Sequence, residues 1–226
     1  MKVGSITTDI IKNGLVFNMD AANRASTIPS TTVQNVYNTV NISQTGSIVN
    51  EYDMWDNSTI TPSFAFDGNG DYINWGTDID FSSFSGISIN IWVNYSSTNS
   101  YSIFSKGASN NIGIWISGGN TLNFYMSTGG WSGHTISTLS ASTWINVCCT
   151  FDGSTQKIYK NGILGDTNSK SGGVPGSGVD FYIGYLAGVP SYALNGNIGP
   201  YHIYNRALSA NEVLHNYNAL KGRFGL

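Results

Sequence analysis

"GNIGPYHIYNRALSANEVLHNYNAL", residues 196–220, passes from a β-patterned run straight into a short helix, near the end of a chain otherwise rich in strand and turn signals. Ser209 and Glu212 fit the S-x-x-E capping box, in which hydroxyl and carboxylate satisfy free amides at a helix start. Val213, Leu214, Tyr217 and Leu220 then recur at i, i+1, i+4 and i+7, which predicts one apolar stripe, and Gly222 supplies a stop. So short a helix is unstable alone. It must lie against the rest of the fold, where it is expected to cover an edge or open end of a sheet. Gly199-Pro200, inside the strand-like half, raises a separate question about ligands.

Outward from this stretch the signals are those of strands. The runs at 14–19, 63–68, 71–76, 87–95, 101–107, 111–119, 122–127, 144–153, 157–164, 179–186 and 197–205 are bounded by Gly, Asn, Ser or Asp. In "ISINIWV" Ile87, Ile89 and Ile91 share one face, and Ser88, Asn90 and Trp92 the other. "FDGSTQKIYKNG" reads as a short edge-like strand between two turns, with Asn161-Gly162 a strong hairpin signal. Residues 20–62 break the rhythm. They are polar, contain Pro29 and Pro62, and read as a long functional or packing loop. Many short strands with such turns predict a single all-β domain, an antiparallel two-sheet sandwich with a short C-terminal helix.

Composition narrows the partners. Only 10% of the 226 residues are charged, against about 25% in ordinary domains, and the net charge is −3. The ten Lys and Arg are scattered, so the basic patch that nucleic acid requires is absent. No apolar run approaches the ~20 residues of a membrane span. "MKVGSITTDIIKNG" lacks the apolar core of a signal peptide, which gives the expectation of synthesis in a cytoplasm without export by that route. Cys148 and Cys149, adjacent on a strand, would face opposite ways and cannot pair with each other, so one is expected in the core.

Five segments in order carry a family pattern: "GLVFNMDAANRAS" (14–26), "FAFDGNGDYINWG" (64–76), "ISINIWVNYSSTNSYSIFSKG" (87–107), "WINVCCTFDGSTQKIYKNG" (144–162) and the stretch at 196–220. Together they resemble the concanavalin A-like lectin/glucanase superfamily in its laminin G-like jelly-roll branch, over residues 14–222. The opening and the "YNALKGRFGL" ending look most like versions encoded by tailed bacteriophages, where such domains occur in virion proteins. The resemblance implies a two-sheet jelly roll at 14–226, often calcium-bound, used for glycan or surface-protein recognition, with 1–13 as an N-terminal arm pinning it to a neighbour. It also implies candidate calcium ligands Asp20, Asp67 and Asp71, in "NMDAAN" and "FDGNGD". Many relatives place acidic residues where this chain has Gly199-Pro200, so that position offers a cation no side-chain ligand. Asp67 and Asp71 equally suit turn residues bonding local amides.

Catalysis is disfavoured by inventory. Retaining glycoside hydrolysis needs two carboxyls about 5–5.5 Å apart, yet the chain has two glutamates, Glu51 in the irregular excursion and Glu212 in the capping box. Asp78 and Asp80 in "TDIDF" read as a turn. His134, His202 and His215 fall in a loop, a terminal strand and the helix, with no zinc motif among them. Sugar binding asks instead for aromatic rings to stack on pyranose faces and a few placed polar groups. Trp131, a large aromatic among glycines in "STGGWSGH", is the first candidate ligand contact. Tyr185 and Tyr192, bracketing "GYLAGVPSYALNG", come next, then Tyr52 and Trp55. Trp92, Trp115 and Trp144 sit within strands and are expected in the core.

The expected function is therefore a non-enzymatic, lectin-like virion surface protein, a head-decoration or tail-fibre module. It would bind a cell-surface glycan, assemble with other virion proteins and copies of itself, and have calcium as its one candidate cofactor. A carbohydrate-binding module of an exported bacterial enzyme or adhesin is the alternative.

Overall fold

Period-2 alternation of apolar with small or polar residues is what makes this chain a sandwich, and it is clearest in the runs at 63–67, 87–93, 112–117 and 121–126 of the computed structural model. Residues 9–26, 35–50, 54–58, 61–96, 101–107, 111–118, 120–127, 132–136 (backbone only), 139–176 and 178–226 are described. In chain order they form β1 (Leu15–Met19), β2 (Asn35–Tyr37), β3 (Thr45–Val49), β4 (Trp55–Asp56), β5 (Ser63–Asp67), β6 (Tyr72–Asn74), β7 (Ile87–Tyr95) and β8 (Tyr101–Lys106). Then follow β9 (Ile112–Ser117), β10 (Thr121–Met126), β11 (Ser132–Ile136), β12 (Ile145–Phe151), β13 (Thr155–Lys160), β14 (Ile163–Ser169), β15 (Phe181–Ile183), β16 (Asn195–Tyr204) and α1 (Ala210–Leu220).

Two antiparallel eight-stranded sheets result. The first runs β14-β13-β12-β7-β16-β5-β4, with β1 also on β16, and the second β11-β10-β9-β8-β15-β6-β3-β2. Between them lie Ile87, Ile89, Ile91 and Val93 of β7, Ile112, Ile114 and Ile116 of β9, and an aromatic cluster in which Phe17 stands edge-on to Trp75 at 4.7 Å. The all-β two-sheet jelly roll with a short C-terminal helix is the observed architecture.

The stretch at 196–220 explains itself in this frame. Asn195–Ile198 of β16 pair with β5, whereas Leu15–Met19 take over as partner for Tyr201–Tyr204. Gly199-Pro200 sits at the hand-over, where the register with β7 also shifts between Ile198 and Tyr201. Proline has no N–H for the ladder, so it suits such an irregularity. A Cβ on Gly199 would lie 3.1 Å from Phe224 Cζ and 3.2 Å from Trp92 Cβ. The glycine lets Phe224 stack on Trp92, ring centroids 4.1 Å apart and 12° from parallel. The pair thus serves packing rather than a ligand.

The capping box forms: Ser209 Oγ accepts from Glu212 N at 3.3 Å and Glu212 accepts from Ser209 N at 2.8 Å. Arg206 adds a two-pronged ion pair to the same carboxylate at 3.0 and 2.6 Å, and its hydrogen bonds hold Glu212 down to about 2. The helix covers the outer face of the first sheet, not an edge or end. Its buried residues are Val213 and Asn216, while Leu214 is 42% exposed, so the expected stripe is rotated. Polar Asn216 is buried because Tyr204 Oη accepts from its Nδ2 at 3.0 Å and its Oδ1 accepts from Ile11 N at 2.8 Å. The stop is Gly225, at φ 72°, rather than Gly222, because residues 221–224 continue as a tighter turn.

Other expectations are corrected too. The excursion 20–62 contributes β2, β3 and β4, since β3 completes a ladder with β6. The 157–164 run is two strands, joined at Asn161-Gly162 (φ 51° and 78°), and β13 is internal with β14 at the edge. His134 lies on β11 opposite Phe124, not in a loop. Both cysteines are buried, Cys149 between the sheets and Cys148 under the helix, and burial pushes both thiols up, so neither is a ready nucleophile. Residues 9–13 of the arm dock on their own domain: Tyr204 Oη donates to Ile11 O at 3.0 Å and Arg206 Nε to Asn13 O at 3.0 Å.

Candidate functional site

The helix covers part of the outer face of the first sheet, and the outer face of the second carries a cleft under a loop. On β9, Ile112, Ile114 and Ile116 point inward, so the alternation sends Gly113, Trp115 and Ser117 outward. On β10, Leu122, Phe124 and Met126 are core residues and Asn123 and Tyr125 face out. A register shift in β8 between Ser102 and Phe104 turns both Ser102 and Ser105 to this face. Their hydroxyls donate to Tyr185 O at 3.1 and 2.8 Å. These bonds tie down the 184–194 loop, which is braced further by Leu194 N to Gly184 O at 2.8 Å and a tight turn at Pro190–Tyr192.

The result is a cleft whose lining includes Ser102, Asn111, Trp115, Tyr125, Leu186 and Tyr192. Gly113 forms part of its floor, and a Cβ there would press to 3.3 Å on the Trp115 ring. Trp115 and Tyr125 lie 6.1 Å apart at 50°, and desolvation raises the Tyr125 phenol above its ordinary value. No charged side chain lines the cleft among the described residues. Two apolar rings beside a hydroxyl and an amide, without a charge, match a neutral ligand with one apolar face.

The sequence candidates divide here. Tyr192 lines the cleft. The Tyr185 ring instead stacks on Tyr72 at 4.7 Å, while Tyr182 stands edge-on to Tyr72 at 5.7 Å and donates to Asp180 Oδ2 at 2.9 Å. Burial, with Asp180 adding, pushes the Tyr182 phenol up to about 12. Trp131, Tyr52 and Glu51 lie outside the described residues. Trp55 is half-buried, and its Nε1 donates to Ala21 O at 3.0 Å. Trp115 corrects the expectation of a core residue, and the signal was present in "IGIWIS": three isoleucines on one face oblige the tryptophan to take the other. Trp92 is buried, but under the helix rather than between the sheets, and half-buried Trp144 packs on Phe224 at 4.7 Å.

Asp67 and Asp71 meet in one turn, and Asp20 does not complete a group of three with them. Both Asp20 oxygens are taken by Arg223, at 2.7 and 3.0 Å. Asp67 Oδ1 accepts from Asn69 N at 2.6 Å, and this turn bond is the main reason its carboxyl titrates low. Asp71, buried, accepts from Asp67 N at 3.0 Å. Among the described residues no group of three His, Cys, Asp or Glu could hold a metal ion. The carboxylates shape a turn and an ion pair.

Residues 67–214 match the family model described as the concanavalin A-like lectin/glucanases superfamily. The chain belongs to this superfamily. No curated protein matches its sequence. Among solved structures it is similar to the binding domain of botulinum neurotoxin serotype D, with TM-score 0.68 and 15% identity over 91% of this chain and 50% of that one. A second structure of that toxin's ligand-binding domain contains N-acetylneuraminic acid. The chain thus spans about half the length of these toxin domains. It is also similar to domain 4 of an extracellular arabinanase from Geobacillus stearothermophilus, in complex with arabinotriose, with TM-score 0.68 and 19% identity over 90% of this chain and 98% of that one. At such identities the likeness shows the jelly-roll fold. The neighbours are a toxin's binding domain and one domain of an arabinanase, and this superfamily member shares their architecture. No helix among its described residues is long and apolar enough to cross a membrane.

Proposed function

We propose that this superfamily member is a non-catalytic glycan-binding domain, with its site in the cleft on the outer face of the second sheet. The observation that carries this reading is the uncharged cleft itself, where Trp115, Tyr125 and Tyr192 meet Ser102 and Asn111. A sugar stacks its C–H face on Trp115, and its hydroxyls bond the serine and the amide. The names of the neighbours, one complexed with arabinotriose and one with N-acetylneuraminic acid, support a carbohydrate ligand. The lack of a cationic lining favours a neutral sugar over a sialylated one. Glu212 is occupied by its cap and by Arg206, which supports binding without turnover.

Glycan-array binding with calcium and again with chelator, on wild type and on Trp115→Ala, Tyr192→Ala and Trp131→Ala, tests this. Neutral glycans are expected to bind, and Trp115→Ala to weaken them roughly thirtyfold or more, the ~2 kcal/mol of an interfacial aromatic anchor. Retention in Trp115→Ala with loss in Trp131→Ala would move the site to residues 128–134. Loss on chelation would return Asp67 and Asp71 as ligands. Absence of any binding would overturn the reading.

The setting we infer is the surface of a tailed-phage virion, as a head-decoration or tail-fibre module made in the host cytoplasm, in contact with other virion proteins and with copies of itself. The phage-like opening and ending of the sequence support it. Mass spectrometry of purified virions, with light scattering on the free protein, checks both points. Absence from virions together with a monomer at high concentration would sink it. The near end-to-end match to one domain of an arabinanase favours a second reading, a carbohydrate-binding module of an exported enzyme or adhesin. A catalytic or adhesin domain in the same native gene would decide for it.

A further inference from the structure

On the opposite side of the sandwich, between residues 9–10, the end of β1 and the end of α1, lies a second cleft lined by Asp9, Asn18, Asp20, His202, Leu220 and Arg223, among others. His202 is 2% exposed. Asn146 Nδ2 donates to Asn90 Oδ1 at 3.1 Å, which fixes the Asn90 amide, and Asn90 Nδ2 then meets His202 Nδ1 at 3.1 Å. Nδ1 is therefore the acceptor, and the proton of the neutral ring sits on Nε2. Nε2 makes no hydrogen bond to any described residue, and His202 lines the cleft. Close by, Asn18 Nδ2 is committed to Thr39 Oγ1 at 2.7 Å, which leaves its Oδ1 as an open acceptor.

We propose that this cleft is a second binding site, separate from the one on the other sheet, for a neutral polyhydroxylated ligand such as a sugar, held by His202 Nε2–H and Asn18 Oδ1. A donor beside an acceptor is the pairing a sugar hydroxyl completes, giving one hydrogen bond and taking another. Ile10, Ala219 and Leu220 supply an apolar wall for the C–H face. The void, about 280 Å³, is several times the ~30 Å³ share of one water, so more than a solvent molecule fits. An anion is unsuited. Arg223 is already clamped on Asp20, and the Asp9 carboxylate in the lining is paired with Lys12 at 2.6 Å, so no cation among the lining residues is left for an anion.

The test follows the imidazole of His202 by long-range nitrogen–proton NMR while D-glucose, D-galactose or L-arabinose is titrated into the full chain, with D-glucuronate as the anionic control. At least one neutral sugar is expected to shift the Nε2 signal, and D-glucuronate to leave it in place. Asn18→Ala, its fold checked by thermal melting, is expected to weaken that titration about fivefold to tenfold, the worth of one hydrogen bond. Trp115→Ala, which disables the other cleft, is expected to leave the His202 response intact. The proposal is overturned if no neutral sugar moves His202 at millimolar concentration, if D-glucuronate binds as well, if Asn18→Ala titrates unchanged, or if Trp115→Ala abolishes the response. Failure here with array binding intact would leave the first site standing.

Discussion

The two outer faces of this sandwich are built by the same pleat and put to opposite uses. On the first sheet the outward residues of β7, Ser88, Asn90 and Trp92, are fully buried because α1 and the turn after it lie over them. The polar atoms of two of them find partners inside: Ser88 Oγ donates to Arg206 O at 2.8 Å and accepts from Leu208 N at 2.8 Å, and Asn90 meets Asn146 and His202, whereas Trp92 Nε1 is buried without a hydrogen bond. On the second sheet the outward residues of β9 and β10 meet a loop on one side only, and Trp115 stays half-open beside a cleft. A tryptophan under a helix is a packing residue, whereas one of the same strand pattern under a loop lines a cleft, where we propose that it serves as a ligand platform. Covering the face, rather than the residue, assigns the role.

The largest effect that would test this contrast is on stability. Trp92→Ala removes the stacks on Phe224 and Tyr217 and is expected to cost about 3–5 kcal/mol in urea denaturation. Trp115→Ala is expected to change stability by about 1 kcal/mol or less while weakening glycan binding roughly thirtyfold or more. Equal losses of stability in the two would break the distinction.

Next comes pH. Burial, the main cause, holds His202 down to about 4 against an ordinary 6.5, so the folded ring stays neutral where the unfolded chain takes up a proton. Between those values the unfolded state binds more protons, and stability therefore falls as pH drops from about 6.5 to about 4, levelling off below. The loss is about 3 kcal/mol. It should be absent from the denaturation series of His202→Gln across that window, so the stability difference between wild type and variant changes by that amount. Glu212, held at about 2 by Arg206, acts at lower pH: its contribution is present above about 4.5 and fades toward 2.

Gly199→Val sharpens the comparison by forcing Phe224 off Trp92, with an expected loss of about 1–3 kcal/mol and a red-shifted tryptophan emission. Ser209→Ala is the smallest test. Removing the capping hydroxyl is expected to cost about 1 kcal/mol, read from the denaturation midpoint, with glycan binding unchanged.

Much of the fold was legible because alternation and turns are local. The Ile87–Ile91 face, the Asn161-Gly162 hairpin and the Ser209–Glu212 cap each follow from a few neighbouring residues, and each stands where the sequence placed it. The strands within 20–62 were not legible. β2, β3 and β4 are two to five residues long and owe their extended shape to partners far along the chain, as β3 does to β6. Of the candidate cleft, the place of Tyr192 in the lining loop was legible. Trp115 was missed because a tryptophan within a strand was given to the core without asking which face its isoleucine neighbours already filled.

The sequence by itself determined two things about this protein: that its strands form a sandwich, and that its surface is poor in charge. Both depend on residue type and spacing alone. Only the tertiary structure decided which outer face stays open, that His202 and Asn18 share a cleft, and that Gly199-Pro200 makes room for Phe224. Those outcomes join residues up to two hundred positions apart, as Arg223 is joined to Asp20, and no local pattern encodes such a meeting before the chain has packed.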